Sequence, residues 1–402
     1  MHLLVRETRR LNEAEDAVDL GQSRADLVFL SFSDSDLGAM AAAWSAQVQV
    51  APSLRLASLA RLRHPMSVDL YVERVIAGAR CVVIRLLGGL DYWRYGAEEI
   101  AHAARVHGIP LALLPGDGRN DARLAELSTV ENPALTRLDA FFAIGGPANM
   151  RRALDLMAHL AGLAPDHGFT AEPVPAHGEY RVDVVDVPGK PLAAIVVYRA
   201  YLLAADLAPI EALALALAQE GLNVRALYVG SLKDHDTAQF VAATLRDWAP
   251  SVVLNATAFS ARLDNAPSPL EAPGAPILQV VFAGSSREAW QDSARGLSQS
   301  DLAMQVVLPE LDGRLLTTAI SFKAEETEVP GLEFARVAHQ PSEEGIAAAA
   351  QGASLCTTAR RIRRAGTHRR SNAPPSRRRI TRPSLLPTRN PVFWSCLPVS
   401  RS

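Results

Sequence analysis

"LAAIVVYRAYLLAADLAPIEALALALAQEGLNVRALYVG" (192–230) decides the fold. It opens on seven apolar residues, 192–198, a run of strand length. "APIEALALALAQEG" (208–221) then reads as a helix, with Pro209 near its start and Gly221 at its end. "NVRALYVG" (223–230) returns an apolar strand. Strand, helix and strand punctuated by Gly and Pro describe a parallel β-α-β unit, because a parallel pair needs a crossover and a helix supplies it.

The pattern continues outward from this unit. Downstream come a helix over 236–248, the strand "SVVLN" (251–255), the strand "ILQVVFAG" (277–284) and the segment "DLAMQVVLPELDGRLLTTAISFK" (301–323). Upstream, "ADLVFLSFS" (25–33) is a buried strand followed by a small-residue helix to about Gln47. After "PSLRLASLARLRHP" the spacing of Leu70, Val75 and Ile76 predicts a helix over 67–79, with Ser67 as its N-cap. A strand over 81–87 ends in Gly88 and Gly89, a helix over 97–108 ends in Gly108, and "PLALLPGD" (110–117) is a further strand. "LDAFFAIGG" (138–146) leads into a helix over 148–162. The fold class is α/β: two open, mostly parallel α/β units with a disordered C-terminal tail. Residues 1–165 form the first unit, 166–191 a linker able to hold a short hairpin, 192–350 the second unit and 351–402 the tail.

Charge separates the tail from the body. No acid follows Glu344, and 12 of the 41 basic residues lie from Arg360 onward, so the first 344 residues set 29 basic side chains against 43 acids. The tail has no periodicity and no acid to pair with its arginines, a composition that does not offset the entropy of ordering. Two readings of it stand: an arginine-rich nucleic-acid arm, or out-of-frame translation of a GC-rich gene, suggested by 3 lysines against 38 arginines.

Several function classes find no support. The apolar runs fall short of the roughly 20 residues a membrane span needs. The charged opening "MHLLVRETRRLNEAED" carries no secretory pattern, so a cytoplasmic protein is expected. Cys81, Cys356 and Cys396 have no metal-ligand spacing, and Cys81 opens the apolar run "CVVIRLL" as a reduced core residue. "AIGGPAN" (143–149) lacks the dinucleotide fingerprint, and no Walker A sequence occurs. His102 and His107 lie about 140° apart around a helix and do not converge. "DHD" (234–236) reads as a helix-start cap.

Two strand ends carry candidate binding chemistry. Tyr198 and Arg199 end the strand 192–198; Arg199 reads either as a carboxylate-binding fork at the mouth of the sheet or as the partner of a loop acid. Asn255 and Thr257 follow the strand 251–255 and read either as ligand hydrogen-bonding groups or as turn caps, with Phe259 offering a flat face. "RLLGGLDYWRYG" (85–96) adds Tyr92, Trp93 and Tyr95 beyond the glycine pair, either to stack on a ligand or to pack against a neighbouring domain.

"HPMSVDLYVERV", "RLLGGLDYWRYG", "VVYRAYLLAADLAPIEAL", "VGSLKD", "VLNATAFSA", "QVVFAGSSREAWQDSARGLSQSDLAMQVVLPELDGR" and "AISFK" occur in this order. Together they resemble the N-terminal part of large subunits of the CobN/magnesium-chelatase H family, the aerobic cobaltochelatase branch in particular, over about residues 1–350. Members of that family are several times longer, and the arginine-rich tail replaces the family pattern from about 350–356, which favours the out-of-frame reading. The resemblance implies ATP-dependent Co2+ insertion into hydrogenobyrinic acid a,c-diamide in cobalamin biosynthesis, with ATP and Mg2+ held on AAA+ and integrin-like partner subunits. It implies no cofactor on this fragment, no membrane and no specific nucleic acid. Insertion calls for a flat aromatic-lined pocket, polar anchors for peripheral carboxylates and amides, and groups that take pyrrole-type protons. No catalytic or metal-binding residue carries over, since the acidic metal-handling region lies downstream. The tentative substrate-binding set is Tyr198, Arg199, Asn255, Thr257, Phe259 and Trp93, in a fragment expected to be inactive alone. The alternatives are a magnesium-chelatase H-like porphyrin-binding subunit and a stand-alone two-lobed module for a small anion.

Overall fold

The computed structural model describes residues 17–47, 51–119, 121–262, 267–326, 328–329 and 331–371, the side chains of 362–371 excepted. The last part of the tail, 372–402, lies outside the described residues.

In the first unit β1 (Leu27–Ser31), β2 (Leu54–Ser58), β3 (Cys81–Leu86) and β4 (Leu111–Pro115) form a parallel sheet in the order β2-β1-β3-β4. All five residues of β1 are buried, because helices cover both faces of the sheet. Helices Asp34–Ser45, Asn132–Ile144 and Pro147–Leu160 pack on one face around Phe29, Met40, Phe141 and Met157. Helices Pro65–Arg74 and Arg94–His107 pack on the other around Val82, Ile84 and Ile100.

The second sheet holds β5 (His177–Tyr180), β6 (Leu192–Tyr198), β7 (Asn223–Val229), β8 (Val252–Asn255), β9 (Ile277–Ala283), β10 (Leu315–Glu325) and β11 (Val337–Pro341). Their order is β11-β10-β9-β8-β6-β7-β5. The five central strands are parallel, and β5 and β11 close the two edges antiparallel. The opening stretch folds as read: β6, helix Ala208–Gln219 and β7 pair in register from Leu192 opposite Asn223 to Tyr198 opposite Val229.

Four expectations change. The helix expected over 67–79 is Pro65–Arg74, capped by His64, whose Nδ1 accepts from the Met66 N–H at 3.2 Å; Ser67 is buried and accepts from the Val18 N–H at 2.7 Å. "LDAFFAIGG" closes the helix Asn132–Ile144, which buries Leu138, Phe141 and Phe142. The linker forms no local hairpin; its strand β5 pairs with β7, some 50 residues on. Residues 351–371 continue a helix that starts at Glu343, contrary to a disordered tail from 351. Periodicity carries the helix across that boundary: Ile346, Ala349, Ala350 and Ala353 are buried against the sheet at helical spacing. A Cβ at Gly345 would collide with the Ala319 carbonyl, so the helix lies hard on β10.

The β10–β11 connection reaches into the first unit. Leu332 joins that unit's core, and Glu333 pairs with buried Arg55 at 2.8 Å and accepts from Ser23.

Candidate functional site

The parallel strand order β7-β6-β8-β9-β10 reverses direction between β6 and β8, and the first sheet reverses between β1 and β3. In open α/β sheets the crevice for a ligand lies at the carboxyl ends flanking such a reversal. Tyr198 ends β6 and Asn255 ends β8, so the sequence-based candidates fall at the switch point of the larger sheet.

Their side chains build a scaffold there. Asn255 is fully buried and donates to the Thr257 carbonyl at 2.9 Å and to Gln279 Oε1 at 2.8 Å; Thr257 Oγ1 returns a bond to Asn255 Oδ1 at 2.9 Å. Of the two readings of this pair, turn fixation is the one its hydrogen bonds satisfy. Sequence reasoning missed the rest of the network. Arg314 donates to Gln279 Oε1 at 2.8 Å and to Asp312 at 2.8 Å, and both members of this ion pair are almost wholly buried. Burial pulls the Arg314 guanidinium below its ordinary range, and Asp312 opposes that shift. Asp312 also accepts from Ser260 Oγ at 2.6 Å and the Ala261 N–H at 2.7 Å. The loop after β8 is thereby pinned from below.

Phe259 rides on that pinned loop. Its φ is 64°, a left-handed conformation that costs free energy for an aromatic residue, and the residue is 44 % exposed. Its N–H is held by the Met304 carbonyl at 2.7 Å. Tyr198 supports the same loop, donating to the Ala258 carbonyl at 2.9 Å, and burial pushes its phenol up to about 12.

Two candidates lie elsewhere. Arg199 turns to the linker and donates to the Val174 carbonyl at 2.9 Å, its Nε is buried without a hydrogen-bond partner, and among the described residues no loop acid forms an ion pair with it. Trp93 is buried in the first unit's core, donates to the Leu62 carbonyl at 2.8 Å, and lies so close to Gly96 that a Cβ there would strike its ring. The glycine pair before it is a turn with φ 86° and 75°, conformations that favour glycine. Of the three rings, Tyr92 and Tyr95 face solvent, and Tyr92 meets Phe32 edge-on with the Arg63 guanidinium nearby.

A second polar cluster, also absent from the sequence reading, lies where the carboxyl edges of the two sheets meet. Asp34 and Ser35 from the helix after β1 face Tyr201 and Asp206 from the segment after β6, with Lys323, Arg336 and His339 from the β10–β11 hairpin. Asp206 accepts from the His339 N–H at 3.0 Å and holds its Nδ1 at 2.6 Å. Among the described residues no group of three or more His, Cys, Asp or Glu side chains is placed to hold a metal, and no helix is long and apolar enough to cross a membrane.

The family model for CobN/Magnesium Chelatase matches residues 139–370. The aerobic cobaltochelatase subunit CobN of a Sinorhizobium species is 40% identical over 371 residues, covering 87% of this chain and 29% of the relative. Its counterpart in Pseudomonas aeruginosa is 34% identical over 338 residues, 80% of this chain and 27% of the relative. Among solved structures, the catalytic subunit of cobaltochelatase from Mycobacterium tuberculosis matches with a TM-score of 0.65 at 26% identity, covering 85% of this chain and 28% of that one. The chain thus spans less than a third of the length of these relatives.

Proposed function

This chain belongs to the CobN/magnesium-chelatase family, and from that premise we propose that it supplies part of the macrocycle-holding body of a cytoplasmic cobaltochelatase large subunit. The complete enzyme would insert Co2+ into hydrogenobyrinic acid a,c-diamide while AAA+ and integrin-like partner subunits hydrolyse ATP. This chain's share is to grip the ring; no residue of it is assigned to metal insertion.

The observation that carries the reading is Phe259, an exposed aromatic in a left-handed conformation on a loop fixed from beneath by the Asn255–Gln279–Arg314–Asp312 network. A flat, conjugated ligand gains most from a rigid aromatic face, because little rotamer entropy is lost when the two surfaces meet. Asn255, Thr257 and Tyr198 then act by holding that face in place rather than by touching the ring.

The test is equilibrium binding of hydrogenobyrinic acid a,c-diamide to this chain by absorbance titration, with protoporphyrin as competitor. Phe259→Ala is expected to weaken binding about tenfold, the worth of one aromatic contact of roughly 1.5 kcal/mol. Preferred binding of protoporphyrin would move the chain to the magnesium branch. Binding of a sugar or amino acid without any tetrapyrrole affinity would establish the two-lobed module instead.

A further inference from the structure

We propose that the cleft between the carboxyl edges of the two sheets is a subsite for one primary carboxamide arm of the ligand, read by His339 and Lys323. The inference rests on the macrocycle-holding reading and names which peripheral group is recognised.

Size sets the first limit. The cleft has a volume of about 90 Å³, room for roughly three waters. That admits a short side arm and excludes a ring system, which would stay outside.

Hydrogen-bonding polarity sets the second. An ionised aspartate only accepts, so the bond of 2.6 Å to Asp206 fixes the proton of neutral His339 on Nδ1 and leaves Nε2 as an acceptor. The second bond from Asp206, to the His339 backbone N–H at 3.0 Å, locks the pair. Stacking of Tyr201 on Phe282 at 4.7 Å, with His339 edge-on to both, holds the imidazole plane. Opposite His339 in the antiparallel ladder stands Lys323, whose Nζ has, among the described residues, Asp34 at 3.7 Å as its partner, longer than a good hydrogen bond. The Tyr201 hydroxyl has no hydrogen-bond partner among the described residues. Beside the Asp34 and Asp206 carboxylates, which already face Lys323 and His339, the wall offers Nε2 as an uncharged acceptor and at least two donors.

Charge decides between the two kinds of arm. Lys323 and Arg336 are balanced by Asp34 and Asp206, so the lining is neutral when His339 is neutral. A carboxylate would bring an unbalanced charge and set an acceptor against the Nε2 acceptor. A carboxamide fits both: its N–H₂ donates to His339 Nε2, and its carbonyl accepts from Lys323 Nζ and the Tyr201 hydroxyl. Arg336 serves as the wall between the units. Its NH2 group donates to the Ala205 carbonyl at 2.7 Å, and its Nε lies buried and unpartnered against Gly38.

The experiment compares hydrogenobyrinic acid a,c-diamide with the same macrocycle carrying free carboxylates in place of both amides. The diamide is expected to bind this chain about tenfold or more tightly, since a mismatched buried acceptor pair forfeits a hydrogen bond to a partly desolvated group. His339→Phe keeps the ring packing and removes the acceptor. It should shrink the preference to within about twofold, chiefly by weakening the diamide, with folding checked by circular dichroism. Lys323→Met should weaken the diamide alone. If the diamide binds and its preference survives in His339→Phe, the subsite is wrong and the macrocycle reading stands. If neither macrocycle binds, acetamide is titrated against acetate while the His339 ring nitrogens are followed by 15N NMR. A saturable Nε2 shift with acetamide only keeps the subsite and removes the macrocycle reading; no shift overturns the subsite.

Discussion

Replacing Asp312 by Ala tests whether the switch-point loop is held by the buried ion pair. In the folded chain Asp312 accepts three bonds, from Arg314 at 2.8 Å, Ser260 Oγ at 2.6 Å and the Ala261 N–H at 2.7 Å. The Arg314 side chain is fully buried. The substitution therefore strands a guanidinium in the interior, which costs about 3–5 kcal/mol, more than the worth of the pair itself. With a urea m value of about 2–3 kcal/mol/M, the midpoint of the second unit's unfolding falls by about 1–2.5 M. Asp312→Leu combined with Arg314→Met removes both charges and recovers most of that loss, because an apolar pair of similar volume needs no compensation. The assay is urea unfolding followed by far-UV circular dichroism. A midpoint within about 0.3 M of wild type for Asp312→Ala, on that same m value, would refute the claim that Arg314 depends on this partner. The double variant should still lose macrocycle affinity, since the Ser260 and Ala261 anchors of the Phe259 loop are gone.

Arg55→Ala removes the Glu333 pair and the bonds to the Ser23 and Gly331 carbonyls at 3.0 and 2.8 Å, so hydrogen exchange in 331–341 should rise at least tenfold; unchanged protection would show that the clamp does not hold the hairpin. At alkaline pH the sign follows from the tyrosines. Burial raises the phenol of Tyr198 to about 12, and those of Tyr71, Tyr180 and Tyr201 rise as well. The unfolded chain, with phenols near 10, releases these protons first. The stability these phenols contribute is therefore full below about pH 10 and falls as pH climbs beyond it, the Tyr198 share being lost by about 12, and Tyr198→Phe should flatten part of that slope in pH-dependent urea unfolding.

What was legible in the sequence depended on distance along the chain. The β6–helix–β7 unit is local, and its apolar periods and punctuating Gly221 fixed it without help. Asn255 and Thr257 were found because they sit beside the strand end, but their inward orientation is set by Gln279 and Arg314, 24 and 57 residues on. "LRLAS" hid β2 because Arg55 looks like a surface residue; it is tolerated inside only because Glu333, 278 residues away, meets it. Trp93 looked like a ligand ring because nothing local announces that Gly96 leaves space for it in the core. The boundary at 350 follows the point where the family pattern stops, whereas the buried stripe Ile346, Ala349, Ala350 and Ala353 continues the helix across it.

The His339–Asp206 pair shows why the second cluster is invisible in one dimension and yet constrained in three. Its members are 133 residues apart, and neither lies in a motif that spacing would flag. β11 runs antiparallel beside β10, which sets His339 opposite Lys323. The turn after helix Arg199–Leu203 returns Asp206 to the same edge, and the Glu333 clamp presses the hairpin onto the first unit, where Asp34 waits at the end of β1. The cleft therefore exists only while both units are docked. Loosening the clamp through Arg55 should open it and erase the carboxamide preference without touching a residue that lines it. A preference retained in Arg55→Ala would mean that the second unit alone shapes the subsite.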